Sequence, residues 1–257
     1  MVDDIEAFIK KDSMVRRFAV ARKDQIWDPH RPIYHYQNPE YRMNDPNGLS
    51  YWNGNWHLFY QGFPPEDPRP HWGHAVSKDL IHWRDLPYAI YPDPEDCCFS
   101  GSTLVEDNRV IAMYHGTQAG NMVAISSDPL LLNWEKVTGG AVIPVQEPSD
   151  GPIRYTVFDP CIWKKGEQYF SLSAGTYPEK QGGHRIAADF LFRSENLEKW
   201  EYLHTFTEDD RFTLPGDDGA CPYFWPLGDK YILLFYSHMS GGQYLIGDYD
   251  LDRDKFK

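Results

Sequence analysis

Apolar and polar residues alternate in short runs along most of the chain, and these runs recur in a fixed order. Four times, a turn containing Gly, Asn or Asp leads into a strongly β-prone stretch, which is typical of a β-hairpin. The four stretches are WNGNWHLFYQG (52–62), EDNRVIAMYHG (106–116), KKGEQYFSLSAG (164–175) and LGDKYILLFYSH (227–238). After each, a second short strand runs into a polar turn and then an aromatic residue. These aromatic residues are Trp83, Trp134, Trp200 and Phe256.

The repeat length is about 50–60 residues, with three to four short strands in each repeat. Antiparallel strands repeated at this spacing predict an all-β fold, a β-propeller, in which each repeat forms one blade. About four blades are visible, and the fourth ends at Lys257 without its last strand. The first strand of each blade faces a central channel. We therefore expect the residues that open the four repeats to meet around one axis: Asp45, Ser100, Asp159 and Ala220.

The first 27 residues do not follow the repeat. The segment MVDDIEAFIKKDSMVRRF predicts a short amphipathic helix, and helical periodicity ends near residue 20. We divide the chain into an N-terminal extension, 1–27, and an incomplete propeller domain, 28–257. The extension lacks the apolar core of a signal peptide, and no run is long enough to span a membrane. The sequence therefore predicts a cytoplasmic protein without a membrane partner.

Composition narrows the choice of partners. Aromatic residues make up 16% of the chain, which fits both a β core and stacking on sugar rings. The net charge is −13 and no basic run of five residues occurs, so nucleic acid is not an expected partner. The four cysteines form no CxxC pair and HExxH is absent, so we expect free thiols, no metal site and no cofactor.

Two of the four repeat-opening residues are aspartates, Asp45 and Asp159. Two carboxyl groups facing one channel are the arrangement that glycoside hydrolysis requires, since one group attacks or stabilises the anomeric carbon and another protonates the leaving oxygen. NDPNG (44–48) is equally a good turn sequence, because Asn and Asp bond their own backbone and Gly accepts positive φ. The residues alone leave both interpretations open.

Five segments resemble the motifs of glycoside hydrolase family 32, the β-fructofuranosidases. They are MNDPNGLSYWNGNWHLFYQ (43–61), HWGHAVSKDLIHW (71–83), FSGS (99–102), FDP (158–160) and ACP (220–222). The resemblance covers about residues 28–257. It implies a five-bladed propeller followed by a β-sandwich, so the fifth blade and the sandwich are missing from this chain. It also implies a retaining hydrolase that releases terminal β-D-fructofuranosyl residues from sucrose, fructo-oligosaccharides or related furanosides.

The resemblance assigns roles to individual residues. Asp45 matches the nucleophile, and Asp159 matches the aspartate that stabilises the transition state. Ala220 stands where the family has its acid/base glutamate. The residues matching the fructose pocket are Asn44, Gln61, Trp72, Phe99 and Ser100. Phe158 replaces an arginine that holds sugar hydroxyls, which indicates an altered substrate preference.

Three explanations of Ala220 remain open. A deliberate Glu→Ala change would inactivate the enzyme and trap bound sugar. A natural relative would bind sugar without hydrolysing it. A nearby carboxylate could act instead, and the candidates in sequence are Asp217, Asp218 and Glu208. The alternative functions are thus a sugar-binding propeller and a related arabinofuranosidase or xylosidase.

The expected partner is a fructoside or related furanoside oligosaccharide. A propeller of four blades also predicts an exposed apolar blade face, which would bind the remainder of a propeller or a second copy. A phosphorylated substrate would need basic residues at the rim of the channel. The candidates are Arg154, Lys180, His184 and Arg185.

Overall fold

The structure is a computed structural model that describes residues 2–178, 182–208 and 212–257. Within these residues, most strands belong to four antiparallel sheets, each built from strands that are consecutive in the chain. The first strands of neighbouring sheets pack against one another. The described part of the chain is therefore an all-β propeller of four blades preceded by helices, as the repeats predict.

Blades I and II come first in the chain. The strands of blade I are β1 (Met43–Trp52), β2 (Asn55–Gly62), β3 (His71–Ser77) and β4 (Trp83–Ile90). The strands of blade II are β5 (Gly101–Val105), β6 (Val110–His115), β7 (Gly120–Ser126), β8 (Glu135–Lys136) and β9 (Ile143–Pro144). Strands β8 and β9 are short and both pair with β7. A single 3-10 turn, Pro148–Asp150, lies between blades II and III.

Blades III and IV follow in the chain. The strands of blade III are β10 (Pro160–Lys165), β11 (Gln168–Thr176), β12 (Ala187–Ser194) and β13 (Trp200–Thr205). The strands of blade IV are β14 (Ala220–Leu227), β15 (Lys230–Ser237) and β16 (Gly241–Gly247). The last two strands, β17 (Tyr249–Asp250) and β18 (Lys255–Phe256), pair with each other in a separate two-stranded sheet.

The turn from third to fourth strand shares one hydrogen-bonding pattern in blades I and III. In blade III, the Ser194 hydroxyl accepts from the backbone N–H of Leu197, and the Asn196 side chain accepts from those of Glu198 and Lys199. The indole Nε1 of Trp200 then donates to the carbonyl of Leu197 at 2.9 Å. Blade I repeats these contacts with Ser77, Asp79, Leu80 and Trp83. The polar turn and the tryptophan of each repeat therefore form one structural unit.

Blade IV departs from this unit. Phe256 stands in the position of the tryptophans and has no N–H to donate, and the left-handed residue of its turn, Asp254, lies two positions before the aromatic residue rather than three. Asp250 still accepts from the backbone N–H groups of Asp252 and Arg253. The result is the separate β17–β18 hairpin, so blade IV has three strands among the described residues. The last strand of the fourth repeat is thus present as the short β18, which pairs with β17 outside the three-stranded sheet.

Three hydrophobic cores lie between consecutive blades. Phe59 and Trp72 of blade I pack with Tyr114 of blade II, and Met113 of blade II packs in the core that includes Phe190 of blade III. The third core joins blades III and IV through Phe170, Leu191, Phe206, Phe224 and Leu233. Because consecutive blades bury the faces between them, the sheets are held in a fixed radial order and the channel ends of their first strands are brought together.

The N-terminal extension forms two helices where the sequence predicts one. They are α1 (Val2–Lys11) and α2 (Ser13–Gln25), so helical structure continues past residue 20. The break follows from Asp12, whose carboxylate accepts from the backbone N–H groups of Met14 and Val15 and caps α2. On α2, Phe18 packs against Tyr88 of β4. Neither described helix is long and apolar enough to cross a lipid bilayer.

Candidate functional site

The first strands of the four blades line an open cleft of about 750 Å³. Asp45 of β1, Asp159 immediately before β10, and Ala220 and Cys221 of β14 all line this cleft. His238, just after β15, lies at the same place. The structure thus brings three of the four repeat-opening residues to one cleft, although up to 176 residues of sequence separate the atoms in contact there.

Asp45 is exposed to the cleft, and one of its oxygens is held by two donors. The Ser100 hydroxyl donates to Oδ2 of Asp45 at 2.7 Å, and Nε2 of Gln61 donates to the same oxygen at 3.1 Å. Nε2 of Gln61 also donates to the Ser100 oxygen at 2.7 Å. Both supporting side chains are almost completely buried, at 4% exposure for Gln61 and 2% for Ser100. The fourth repeat-opening residue therefore serves to orient Asp45.

Asp159 accepts two hydrogen bonds from Cys221. The backbone N–H of Cys221 donates to Oδ2 of Asp159 at 3.1 Å, and its thiol donates to the same oxygen at 3.3 Å. The sulfur also lies 4.0 Å from Oδ2 of Asp45, so one thiol approaches both carboxylates. Burial raises the pKa of Asp159, and the charges of Asp45 and Asp218 add to this rise, while the two donors of Cys221 oppose it.

Cys221 owes its position to an irregularity in β14. Its φ is 49°, in the left-handed region, and the pairing with β15 shifts between Ala220 and Tyr223. The bulge turns the N–H and the thiol of Cys221 toward Asp159. Burial, followed by the nearby charges of Asp159 and Asp45, raises the pKa of the Cys221 thiol, so it remains protonated and can donate. Sequence analysis assigned no role to this cysteine.

The imidazole of His115 lies between the rings of Phe99 and Phe158 and contacts both. The ring of Phe99 stacks on His115 at 6.3 Å between centroids, and Phe158 meets the same imidazole edge-on at 6.1 Å. Burial lowers the pKa of His115 to about 4, so the ring is neutral near pH 7. Both phenylalanines keep partial exposure. His115 closes the second hairpin in sequence, which is the signal that could have identified it.

Asn44 and Trp72, both predicted to line the fructose pocket, differ in their exposure. Asn44 is exposed beside Asp45 on β1, which is compatible with contact to a ligand. Trp72 is completely buried, and its indole Nε1 donates to the carbonyl of Phe99 at 2.8 Å. The prediction that Trp72 lines the pocket is therefore wrong, because the ring packs in the core between blades I and II. Its effect on a ligand is indirect, through the backbone of Phe99.

The three carboxylates considered as substitutes for a glutamate lie in different settings. Asp217 is buried and accepts from the Ser237 hydroxyl, and Glu208 pairs with Arg253. Asp218 instead accepts from the imidazole Nδ1 of His238 at 2.5 Å. Asp217 and Asp218 are therefore each hydrogen-bonded to a residue that lines the cleft, Ser237 and His238 respectively, but only the partner of Asp218 is a titratable group. Sequence analysis did not single out His238, which follows directly after the fourth hairpin strand.

The basic residues proposed for the rim do not form one group. The guanidinium of Arg154 lies over the ring of Tyr202 at 5.0 Å. His184 Nδ1 lies near Gly216, whose N–H donates to the carbonyl of Arg185. Lys180 lies outside the described residues. Among the side chains that are described, no cluster of three or more His, Cys, Asp or Glu is arranged to hold a metal ion.

Comparison with known proteins gives matches over most of the chain. The family model described as "Glycosyl hydrolases family 32 N-terminal domain" matches residues 35–257. Levanase from Bacillus subtilis (strain 168) is 33% identical over 251 residues, which is 87% of this chain and 35% of levanase. Fructan 6-exohydrolase from Beta vulgaris is 32% identical over 88% of this chain and 41% of its own length. The chain therefore spans less than half of these relatives.

Solved structures agree with the sequence matches. A mutant Bombyx mori GH32 beta-fructofuranosidase in complex with sucrose superposes with a TM-score of 0.70 and 27% identity, over 96% of this chain and 55% of that one. A variant of fructan 1-exohydrolase IIa from Cichorium intybus in complex with 1-kestose gives 0.69 and 27%, over 89% and 46%. With a family match that covers nearly all of the propeller, this chain belongs to family 32 of the glycosyl hydrolases.

Proposed function

We propose that this chain carries the nucleophile of a retaining hydrolase that acts on terminal β-D-fructofuranosyl residues. The substrates would be sucrose, fructo-oligosaccharides or a related furanoside. The observation that carries this proposal is the setting of Asp45, which is exposed to the cleft while its Oδ2 is held by Ser100 and Gln61. Relatives of known structure that bind sucrose or 1-kestose share this fold, which supports the choice of sugar.

The two donors fix the Asp45 carboxylate in one orientation toward the cleft. A carboxylate held in this way meets the anomeric carbon at low entropic cost and forms a covalent fructosyl ester. Asp159 would accept hydrogen bonds from sugar hydroxyls, and its charge would favour the cationic transition state. Phe99 and Phe158 offer partly exposed ring surface for the apolar face of the furanose.

Ala220 has only a methyl group where the family has its acid/base glutamate. We propose that this domain hydrolyses alkyl fructosides more slowly than it would with glutamate at position 220, because losing a general acid typically costs ~10²–10⁴-fold in rate and another donor recovers only part of that loss. Ala220→Glu should then raise turnover of sucrose by up to that factor. No change in turnover with Ala220→Glu on any fructoside would contradict this account of position 220.

The nucleophile is tested with a substrate that needs no proton donor. We expect the chain to release p-nitrophenol from p-nitrophenyl β-D-fructofuranoside, and Asp45→Asn to lower this rate at least ~10³-fold. Asp107→Asn is the matched control, since Asp107 is an exposed aspartate in the β5–β6 turn and should have no effect. Equal rates for the chain and for Asp45→Asn would exclude Asp45 as the nucleophile.

A second candidate is a sugar-binding propeller without catalysis, which Ala220 favours. Calorimetric titration with fructose or sucrose separates the two candidates. Binding of sugar without turnover of the p-nitrophenyl fructoside would support the binding module. An arabinofuranosidase or xylosidase remains the alternative among enzymes because Phe158 replaces the arginine of the family, and it is tested with the corresponding p-nitrophenyl glycosides.

We also propose that the complete propeller has a fifth blade, placed between blades IV and I. Large apolar side chains are exposed on the two blades that would border it. Leu49 and Tyr51 of β1 are each 53% exposed, while Tyr244 and Ile246 of β16 are 64% and 55% exposed. Apolar faces of this kind are normally covered by another element of structure.

A further inference from the structure

The strand pairing of blade IV sets two residues opposite each other at the cleft. Ala220 of β14 pairs with Tyr236 of β15 in antiparallel register. Two residues before Ala220 and two residues after Tyr236, Asp218 and His238 stand opposite each other. Gly219, with a φ of 56°, separates Asp218 from Ala220, so Asp218 and His238 lie just outside the paired part of β14 and β15. The pair therefore lies next to the position that lacks a glutamate.

The contacts between the two residues are direct. Nδ1 of His238 lies 2.5 Å from Oδ2 of Asp218, and the backbone N–H of His238 reaches the other oxygen at 3.4 Å. The imidazole is 84% exposed, whereas the Asp218 carboxylate is 21% exposed. With Nδ1 bonded to Asp218, Nε2 is the nitrogen left to face a ligand. A carboxylate that holds one ring nitrogen fixes the orientation of the other.

The charges around His238 favour its protonated form. The hydrogen bond and charge of Asp218 raise the pKa of His238, and Asp45 and Asp159 raise it further. Asp217 is a further charged neighbour, and its carboxylate accepts a hydrogen bond from the Ser237 hydroxyl. Histidine with a raised pKa carries its proton near neutral pH, as a general acid must at the start of the reaction.

We propose that His238, oriented by Asp218, is the proton donor that serves this cleft in the absence of the glutamate. The inference rests on the proposed function, because it assumes that Asp45 attacks a fructoside. It applies to leaving groups that need a proton, such as the glucose of sucrose. Asp218 is then a positioning residue, since it acts through His238.

The steps balance as follows. Asp45 attacks the anomeric carbon, and the bond from that carbon to the leaving oxygen breaks. The proton on Nε2 of His238 moves to the leaving oxygen, so the alcohol departs neutral and the imidazole becomes neutral. A water molecule then attacks the anomeric carbon of the fructosyl ester. Neutral His238 takes the proton of that water, fructose is released, and the Asp45 carboxylate is restored.

The test compares two substrates that differ in their need for a proton. We expect His238→Gln to lower kcat/KM for sucrose by ~10²-fold and to change kcat/KM for p-nitrophenyl β-D-fructofuranoside, which reports only the step that releases p-nitrophenol, by less than about 3-fold. The matched control is His82→Gln. His82 is 86% exposed and its Nδ1 is bonded to Asp79 at 2.7 Å, but it lies in the blade I turn outside the cleft. This control should leave both rates unchanged.

Two further variants separate proton donation from a structural role. Asp218→Asn should move the high-pH limb of the sucrose profile to lower pH, because the carboxylate that favours the imidazolium is lost. Ala220→Glu added to His238→Gln should restore sucrose turnover, since a carboxylic acid then stands beside the vacant position. A variant that had merely failed to fold would not be rescued in this way.

The outcomes distinguish this inference from the proposed function. Unchanged sucrose turnover in His238→Gln, or an equal loss on both substrates, would overturn the role of His238 and leave Asp45 as the nucleophile. If Asp45→Asn does not reduce turnover of the p-nitrophenyl fructoside, the proposed function fails and the inference fails with it. A large loss on sucrose alone, rescued by Ala220→Glu, supports both.

Discussion

Ser100 and Gln61 illustrate how this site orients a carboxylate with buried side chains. They donate to the same oxygen of Asp45 and bond to each other, so neither can rotate without losing a hydrogen bond. A hydrogen bond to a charged group is stronger than one between neutral groups, about 1.5–3 kcal/mol in net terms. These two residues therefore contribute to catalysis through the geometry of Asp45.

We expect Ser100→Ala to lower kcat/KM for p-nitrophenyl β-D-fructofuranoside by ~10–100-fold, because Asp45 loses its shorter donor. Steady-state kinetics provide the measurement. Ser171→Ala is the control, since Ser171 is a fully buried serine of β11 whose hydroxyl has no hydrogen-bond partner. The expectation fails if both variants retain the original kcat/KM.

At the residue scale, the sequence identified the carboxylates and their supports but not the groups that connect them. Asp45, Gln61 and Ser100 follow from matched motifs, and the structure brings them together. Cys221 was missed because its role depends on a left-handed φ that a cysteine rarely adopts. Trp72 was misplaced because a tryptophan in a strand fits a core as well as a pocket.

Among the elements, the turn before the fourth strand has the same hydrogen-bonding pattern in blades I and III. Leu80 and Leu197 both have positive φ, at 64° and 68°, in the turns of blades I and III. A non-glycine residue is unfavourable there unless the surrounding hydrogen bonds hold it. The serine, the Asp or Asn, and the tryptophan supply those bonds. The sequence repeat reflects this requirement.

We expect Asn196→Ala to lower the free energy of unfolding by about 1–2 kcal/mol. The change removes the acceptor for two backbone N–H groups at the blade III turn, as loss of a helix cap does. Urea denaturation would measure the change. Glu195→Ala, at the exposed neighbouring position, should alter stability by less than about 0.5 kcal/mol. Similar losses for the two variants would contradict the role of the Asn196 side chain.

The elements that the sequence did not resolve have local causes. The hairpin strands were predicted because a two-residue turn and a β-prone run are both local signals. The division of the N-terminal extension into α1 and α2 depends on a single capping side chain, Asp12. The β17–β18 hairpin depends on a turn whose left-handed residue is Asp254 and on Phe256 in place of a tryptophan. The hydrophobic periodicity of the sequence alone predicts neither the break between α1 and α2 nor the β17–β18 hairpin.

At the scale of the whole molecule, blade I contains two buried histidines that respond to pH. His57 of β2 and His74 of β3 are completely buried, and a 3.0 Å hydrogen bond joins Nδ1 of the first to Nε2 of the second. Burial lowers the pKa of His57 to about 4 and lowers the pKa of His74 as well. Both rings are therefore neutral in the folded protein.

Acidification should destabilise the fold through these residues. The unfolded chain binds protons on its histidines below about pH 6.5, while the folded chain resists protonation until lower pH. The contribution of these two histidines to the free energy of unfolding is therefore complete above pH 6.5 and is lost as the pH falls toward 4. For His57 the loss at pH 5 is about 2 kcal/mol. Urea unfolding at pH 7 and pH 5 measures this difference.

Two variants test whether His57 and His74 cause this loss of stability at low pH. The double variant His57→Leu, His74→Phe should show a smaller change between pH 7 and pH 5, and the part due to the buried His115 should remain. His82→Gln, which removes an exposed histidine, should retain the full change. If the double variant loses as much stability on acidification as the original chain, other groups are responsible.

The overall architecture was predictable because four repeats specify the same unit, and each local signal supports the others. The four sheets and the meeting of their first strands follow from this repetition. The pairing of Asp218 with His238 was not predictable from the repeat, because it uses residues just beyond the hydrogen-bonded strands. Functional contacts in such a fold occur where the regular pattern ends.

The contact between Cys221 and Asp45 joins atoms from residues 176 positions apart in the chain. Loops of this length close late in folding, after the local hairpins have formed. The cleft is therefore assembled only when blade IV docks onto blade III, and a nascent chain emerging blade by blade has no complete site. Activity would then appear with the final docking step, so its recovery during refolding reports that step, whereas far-ultraviolet circular dichroism reports the earlier formation of the hairpins.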